Sequence, residues 1–339
     1  MKVEEHIAPA EHATQTGRSK VIIRSTKDTS VSTAVQQCME ACDWESWVPR
    51  NGTVVLKPNV CTAVQDIAAV ANTGVEVTAA VCEVLLTRTR RIFVGESNHM
   101  RQNAWQAFAA AGYDGMAKRL GVTLVCFSEQ ETVPCDCEPV GPIPLPRMIL
   151  EADAFITVPV LKTHALTHFT GSLKNQWGCV PNYLDRIHNH THIHELLPEL
   201  HRIFKPKMSL MDGILTMEGR GPVAGNTRKL DLILASRDGV ALDTTAMRLV
   251  GLDPSRCRHV MLAGERRLGN TAAEQIVVDG DWARHATQFE RPPRDIANSA
   301  MFYMGQYRWF VKYILGNDRI YNPVRDLVKF LRRKKVLGG

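Results

Sequence analysis

The chain has 339 residues, of which 45% are hydrophobic and 22% charged, with a net charge of +6. That is enough apolar sequence for one large or two ordinary domains with real cores, and it excludes a disordered chain. The charge is moderate and scattered except at the basic end, "KFLRRKKVLGG"; this fits a small anionic molecule or a membrane or protein surface, and nucleic acid is not expected.

The first residues, "MKVEEHIAPAEHATQTGRSK", hold no uninterrupted apolar run of the signal-peptide kind. No later run reaches the roughly 18 to 20 apolar residues of a spanning helix. Residues 1–19 therefore read as a tail, and a soluble, cytoplasmic protein is expected. From there short β-rich runs alternate with amphipathic runs at the spacing of βαβ units. "KVIIRS" (20–25) is a strand, and Thr29 or Ser30 caps a helix whose apolar face is Val31, Ala34, Val35, Cys38, Met39 and Cys42. Asn51-Gly52 turns the chain into the strand "TVVLKPN". A helix over about 74–88 leads to "RIFVGES" (91–97), a helix through "AWQAFAAAG" leads to "VTLVCF" (122–127), and "ADAFITVPV" (152–160) is a further buried strand.

This order predicts a doubly wound, mostly parallel α/β sheet of Rossmann-like type. Ligands of such sheets bind beyond the carboxyl ends of the strands, here Lys57-Pro58-Asn59, Glu96-Ser97-Asn98-His99 and Lys162-Thr163-His164. A second α/β lobe follows: the helix "ELLPELHRIF", the strand "KMSLMDGI", the loop "LTMEGRGPVAG", the strand "LDLILAS" and the helix "GVALDTTAMRLVG". Residues 20–280 make up the α/β domain, with a site loop over 159–195. Residues 281–339 are aromatic and basic with helical spacing, a C-terminal appendage. It either packs on the sheet, covers a site, or docks a partner or membrane surface.

Seven of the twelve histidines fall between His164 and His201, and "IHNHTHIHE" sets His188, His190, His192 and His194 at alternate positions. Neutral imidazole ligates zinc, nickel or iron, and either an extended or a helical conformation brings two of these rings together; a solvated loop titrating near neutral pH is the plainer alternative. Just upstream, Lys162, Lys174 and Asn175 can grip a phosphate or carboxylate, as can Lys57 and Asn59 at the earlier strand end. His164 and His168 suit proton transfer near neutral pH. Asp212 and Glu218 sit where a carboxylate can fix a ligating histidine or simply form a turn, and Asp243 reads first as a cap. The glycines Gly219, Gly221 and Gly225 do not make a Walker or dinucleotide fingerprint, so neither ATP nor NAD is inferred. A G-x-S-x-G elbow is lacking too.

Taken together, "VVLKPN", "VGESN", "VPVLKTHALTHFTGSLKNQWG", "MDGILTMEGRGPVAG" and "GVALDTT" closely resemble the DUF362 family, in order, from about Lys20 to Gly251. Many members of that family add ferredoxin-like cysteine motifs. The nine cysteines here include no C-x-x-C, and no Cys-ligated iron–sulfur cluster is expected. The spacing of His164, "TGSLK" ending in Lys174, and His190 is also similar to that of the nickel-pincer lactate racemase family, with His99 at about the place of that family's other acid/base histidine. This resemblance implies that Lys174 holds a cofactor, His190 binds its metal with His188 or His192 as further candidates, and His164 and His99 exchange a substrate proton. "LKNQWG" departs from the racemase pattern just past the lysine. The resulting expectation is an isomerase, lyase or oxidoreductase using a transition metal (iron, nickel or zinc) or a metal-containing organic cofactor on a small anionic substrate. Alternatives are a non-catalytic redox or metal-handling protein, and a membrane-surface enzyme with a lipid-like or phosphorylated substrate.

Overall fold

The structure is a computed structural model that describes residues 17–99, 102–222, 224–292, 303–315 and 317–333. The predicted N-terminal tail up to residue 16 and the last six residues of the basic end lie outside it.

Twelve strands are present among the described residues: β1 (Ser19–Ser25), β2 (Val54–Pro58), β3 (Ile92–Glu96), β4 (Thr123–Cys126), β5 (Thr132–Cys137), β6 (Gly141–Pro146), β7 (Ala154–Val158), β8 (Val160–His164), β9 (His168–Thr170), β10 (Met208–Glu218), β11 (Asn226–Ser236) and β12 (Ile276–Asp279). Ten of them form one sheet in the order β12-β1-β11-β10-β7-β2-β3-β4, with β8 beside β10 and β9 hairpinned onto β8. Strands β7, β2, β3 and β4 run parallel, β10 is parallel to β7 and β8, and β11 alone runs antiparallel to both β10 and β1. The α/β sheet with mostly parallel pairing is thus the one read from the alternation of elements. The second lobe continues this sheet and is not a separate body.

Side-chain alternation explains why both faces are covered. Val54 and Leu56 join one core while Val55 joins the other, because successive strand residues point to opposite faces. The first face carries a continuous core from Ile22 and Ile233 to Val94, covered by the helices Val31–Ala41 and Val75–Leu86. Ser30 caps the former by accepting the N–H of Thr33, a contact worth roughly 1 kcal/mol. The second face is divided. The helix Ile193–Phe204 covers the β2–β7 half, and the helix Gly239–Leu249 covers the half built from β1, β10 and β11.

Three details differ from the sequence expectation. The run "LTME" extends β10 instead of opening a loop, so β10 and β11 form a long hairpin. The β5–β6 hairpin was not anticipated. The packed body continues past residue 280: Phe289 is buried in the core, and the Glu290 carbonyl accepts from Gly219. No helix among the described residues is long and apolar enough to cross a membrane.

Candidate functional site

Register aligns the strand ends. Pro58 lies beside Val158, and Leu56 beside Val94, so Lys57 and Glu96 emerge at the same carboxyl edge. The chain continues from β7 through Pro159 into β8, which carries Lys162 and His164 beyond that edge along β10. A cavity of about 440 Å³ opens here, lined by Lys57, Asn59, Glu96, His99, Lys162, His164, Lys174, Asn175, Arg186 and His190 among others.

Lys57 and Glu96 form a buried ion pair at 2.7 Å. Lys57 also donates to the Pro58 carbonyl, and Glu96 accepts the N–H groups of Val60 and Ser97. Such a pair adds little net stability, because two desolvated charges offset their own attraction, but it fixes both groups in place. Gly178 makes this possible: a Cβ there would stand 2.7 Å from the Glu96 Oε1 and 2.9 Å from the Lys57 Cε. Asn175 donates to the Lys57 carbonyl and to Thr157, so it orients the pair from behind. Asn59 is tied to the Ala71 carbonyl, as is Lys162.

Lys174 projects from a short helical turn, Ser172–Asn175, whose N–H groups at Ser172 and Leu173 are both accepted by the Asp243 carboxylate. Its ammonium makes no ion pair among the described residues. Burial, followed by the positive charges of Lys162 and Arg186, brings its pKa down to about 7. Burial likewise lowers Lys162. His164 accepts the N–H groups of Leu166 and Thr167 at Nδ1, which leaves Nε2 as the protonated nitrogen. Burial and Lys174 hold its pKa well below the ordinary value, so it is neutral. His99 is lowered to about 4, mainly by burial, and its Nε2 is buried without a hydrogen-bond partner among the described residues. His190 packs against Trp177 with ring centroids 6.0 Å apart, and burial and Lys174 lower it to about 3.

The histidine run is helical: the helix Tyr183–His188 passes through a 3₁₀ turn, Asn189–His192, into Ile193–Phe204. The cavity therefore receives His190 alone of the four, with His188 half-buried beside it and His192 exposed. His168 is exposed on β9 with φ +64° and does not line the cavity. Asp212 accepts the N–H groups of Gly74 and Ile214, and burial raises its pKa to about 6. Glu218 accepts the N–H of Glu290. Both carboxylates tie elements together away from the cavity and do not reach its histidines. Among the described residues no group of three His, Cys, Asp or Glu side chains is placed to hold a metal ion. Sequence reasoning missed Arg186, whose guanidinium donates to the carbonyls of Val180 and Asn98, and Tyr183, which lines the cavity. A lone arginine and tyrosine in an ordinary helical turn carried no signal.

Fold and site define an α/β protein with a histidine- and lysine-lined cavity at the carboxyl edge of a parallel sheet. The chain belongs to the family described as "Domain of unknown function (DUF362)", which matches residues 54–248. A curated relative, "Thylakoid-associated protein sll1697" of Synechocystis sp., is 30% identical over 244 residues, 68% of this chain and 72% of that protein. Among solved structures, a lactate racemase apoprotein from Thermoanaerobacterium thermosaccharolyticum is similar, with TM-score 0.44 and 10% identity over 87% of this chain and 90% of the other. A Thermotoga maritima protein aligns with TM-score 0.36 and 14% identity over 71% and 60%. Global likeness at these scores is too distant to assign residue roles.

Proposed function

We propose that the chain is an enzyme that binds a small carboxylate or phosphate in this cavity and moves a proton to or from it. The charge balance of the lining carries this reading: Lys57, Lys162, Lys174 and Arg186 face one carboxylate, Glu96. Clustered cations in a desolvated site are costly, and an anionic ligand offsets that cost. In this reading His164 enters as an N–H donor, because its Nδ1 is already occupied by backbone donors. His99, with Nε2 unpartnered, is the complementary proton acceptor.

Lys174 and His190 lining one cavity suit a metal-containing organic group better than a bare ion. Such a group brings its own donors and asks the protein for one lysine and one histidine, whereas an ion held by protein side chains alone needs a larger set. When bound, it supplies an electron-accepting centre for isomerase- or lyase-type chemistry. Metal storage or delivery is disfavoured, since basic groups outnumber the one carboxylate of the lining and repel a free metal ion.

The test is intact-mass and elemental analysis of protein purified without air or chelators, together with exchange of substrate hydrogen into deuterated water across a panel of small carboxylates and phosphates. The expected result is a stoichiometric transition metal and an added mass, both lost in Lys174→Met and His190→Ala. His164→Asn and His99→Asn should keep both but lose exchange. An unmodified chain that neither binds nor exchanges any member of the panel would sink the reading.

A further inference from the structure

The net charge is unevenly distributed along the chain. Residues 303–339 contain nine of the 41 lysines and arginines and two of the 35 acidic residues, a net +7 where the whole chain carries +6. The preceding 302 residues are therefore close to neutral, at −1. The same segment holds most of the exposed large apolar side chains among the described residues: Tyr303, Tyr307, Trp309, Tyr313, Ile320, Leu327 and Phe330. Apolar surface left in water gains nothing for the fold, so its concentration in one basic stretch marks an interaction surface.

The segment is placed at the cavity mouth. Gly305 and Leu315 are part of the cavity lining, while Val311 and Leu315 are buried. A Cβ on Gly305 would touch the Ile187 carbonyl at 3.3 Å, so the stretch is seated against the helix that carries Arg186. Beyond it the helix Asp318–Arg333 puts Ile320, Leu327 and Phe330 within one arc at offsets of seven and three residues, all exposed. Trp309 and Tyr313 flank Lys312, whose ammonium stands 5.2 Å from the Tyr313 ring centroid. Aromatic rings with a polar tip in a basic stretch, followed by a helix with an exposed apolar arc, match the boundary between lipid headgroups and acyl chains.

We propose that Tyr303–Arg333 is a docking surface for an anionic lipid bilayer, which holds the cavity mouth against the headgroup layer. An acidic protein partner would satisfy the charge but not the row of exposed tyrosines, tryptophan and aliphatic side chains along a single helix-bearing strip. The bilayer satisfies both, since basic side chains near an anionic leaflet gain about 1 kcal/mol each while the apolar face is buried. Docking does not depend on what the cavity binds.

The experiment is flotation of the full chain with phosphatidylcholine vesicles, with and without phosphatidylglycerol. The protein should float with the phosphatidylglycerol vesicles and remain behind with the neutral ones, and added salt should release it. Lys312→Gln with Arg319→Gln, both exposed changes, should weaken partitioning by about 25-fold, the product of about fivefold per charge. Trp309→Ser with Leu327→Ser, both exposed, should abolish it while the melting temperature stays put. Absence of flotation with either vesicle, or flotation unaffected by both double variants, would overturn the proposal. So would a dimer in sedimentation velocity that Trp309→Ser with Leu327→Ser disperses, since the strip would then belong to a second copy of the chain.

Discussion

Lys174 concentrates the chemistry of the cavity in one side chain. Its pKa of about 7 lies below that of a free lysine because burial and the neighbouring Lys162 and Arg186 disfavour its charged form. The unfolded chain therefore binds the proton more tightly than the folded one between about pH 7 and the ordinary lysine value. Stability attributable to this group rises with pH across that window, and the penalty is complete below it. Lys174→Met should accordingly melt higher than wild type at pH 6 and lose that advantage by pH 10.5, while anion binding falls. Parallel melting curves and calorimetric titrations at the two pH values check this, and a variant less stable at pH 6 would contradict it. Lys174, His164 and His190 were legible in the sequence because a fixed spacing linked them. His188 and His192 shared the local crowding but not the cavity, since helical and 3₁₀ geometry spreads alternate residues around an axis, and His168 sits exposed at the start of β9. The partnership of Glu96 with Lys57 depends on strand register, and the place of Arg186 on contacts of its helix with the Val180 and Asn98 carbonyls, neither of which a local pattern encodes.

At the level of elements, the turn Ser172–Asn175 depends on a helix far along the chain. Asp243, in Gly239–Leu249, accepts two of its N–H groups, and a Cβ on Gly171 would stand 2.1 Å from the Asp243 Oδ1. Asp243→Asn leaves at least one buried donor unsatisfied and should cost roughly 1–3 kcal/mol. The Asp243 pKa is raised to about 7, chiefly by burial, so its contribution to stability declines as pH rises from the ordinary carboxylate range through 7. The variant's deficit should therefore shrink towards alkaline pH in urea titrations, and a deficit that grows would refute this account. The sequence displayed the βαβ alternation because buried parallel strands are dense in β-branched residues. It concealed β5–β6, whose Pro134, Pro142, Pro144 and Pro146 argue against a strand. A two-stranded sheet has two open edges, and there a proline removes no needed donor.

Across the molecule, none of the three cores includes, among the described residues, one beyond Phe289. Deleting residues 303–339 should leave a cooperatively melting body while weakening ligand binding severalfold, because Gly305 and Leu315 no longer close the mouth. Circular dichroism and calorimetry on the truncated chain would show this; insoluble protein would mean that the segment completes the fold. The change of composition near residue 300 was visible in the sequence, whereas the seating of the segment over the cavity was not, since that follows from the packing of Gly305 on Ile187. The position of β1 has a consequence for biosynthesis. Of the described strands this one is translated first, yet its neighbours are β11 and β12, with Arg24 donating to Asp279 across a separation of 255 residues. At ordinary translation speeds it waits on the order of ten to fifty seconds for them. Throughout that interval "KVIIR" is an apolar strand with both edges free, the form of nascent chain most exposed to wrong pairing. Chaperone demand should thus be set by β1, although it is β12 that completes its side of the sheet.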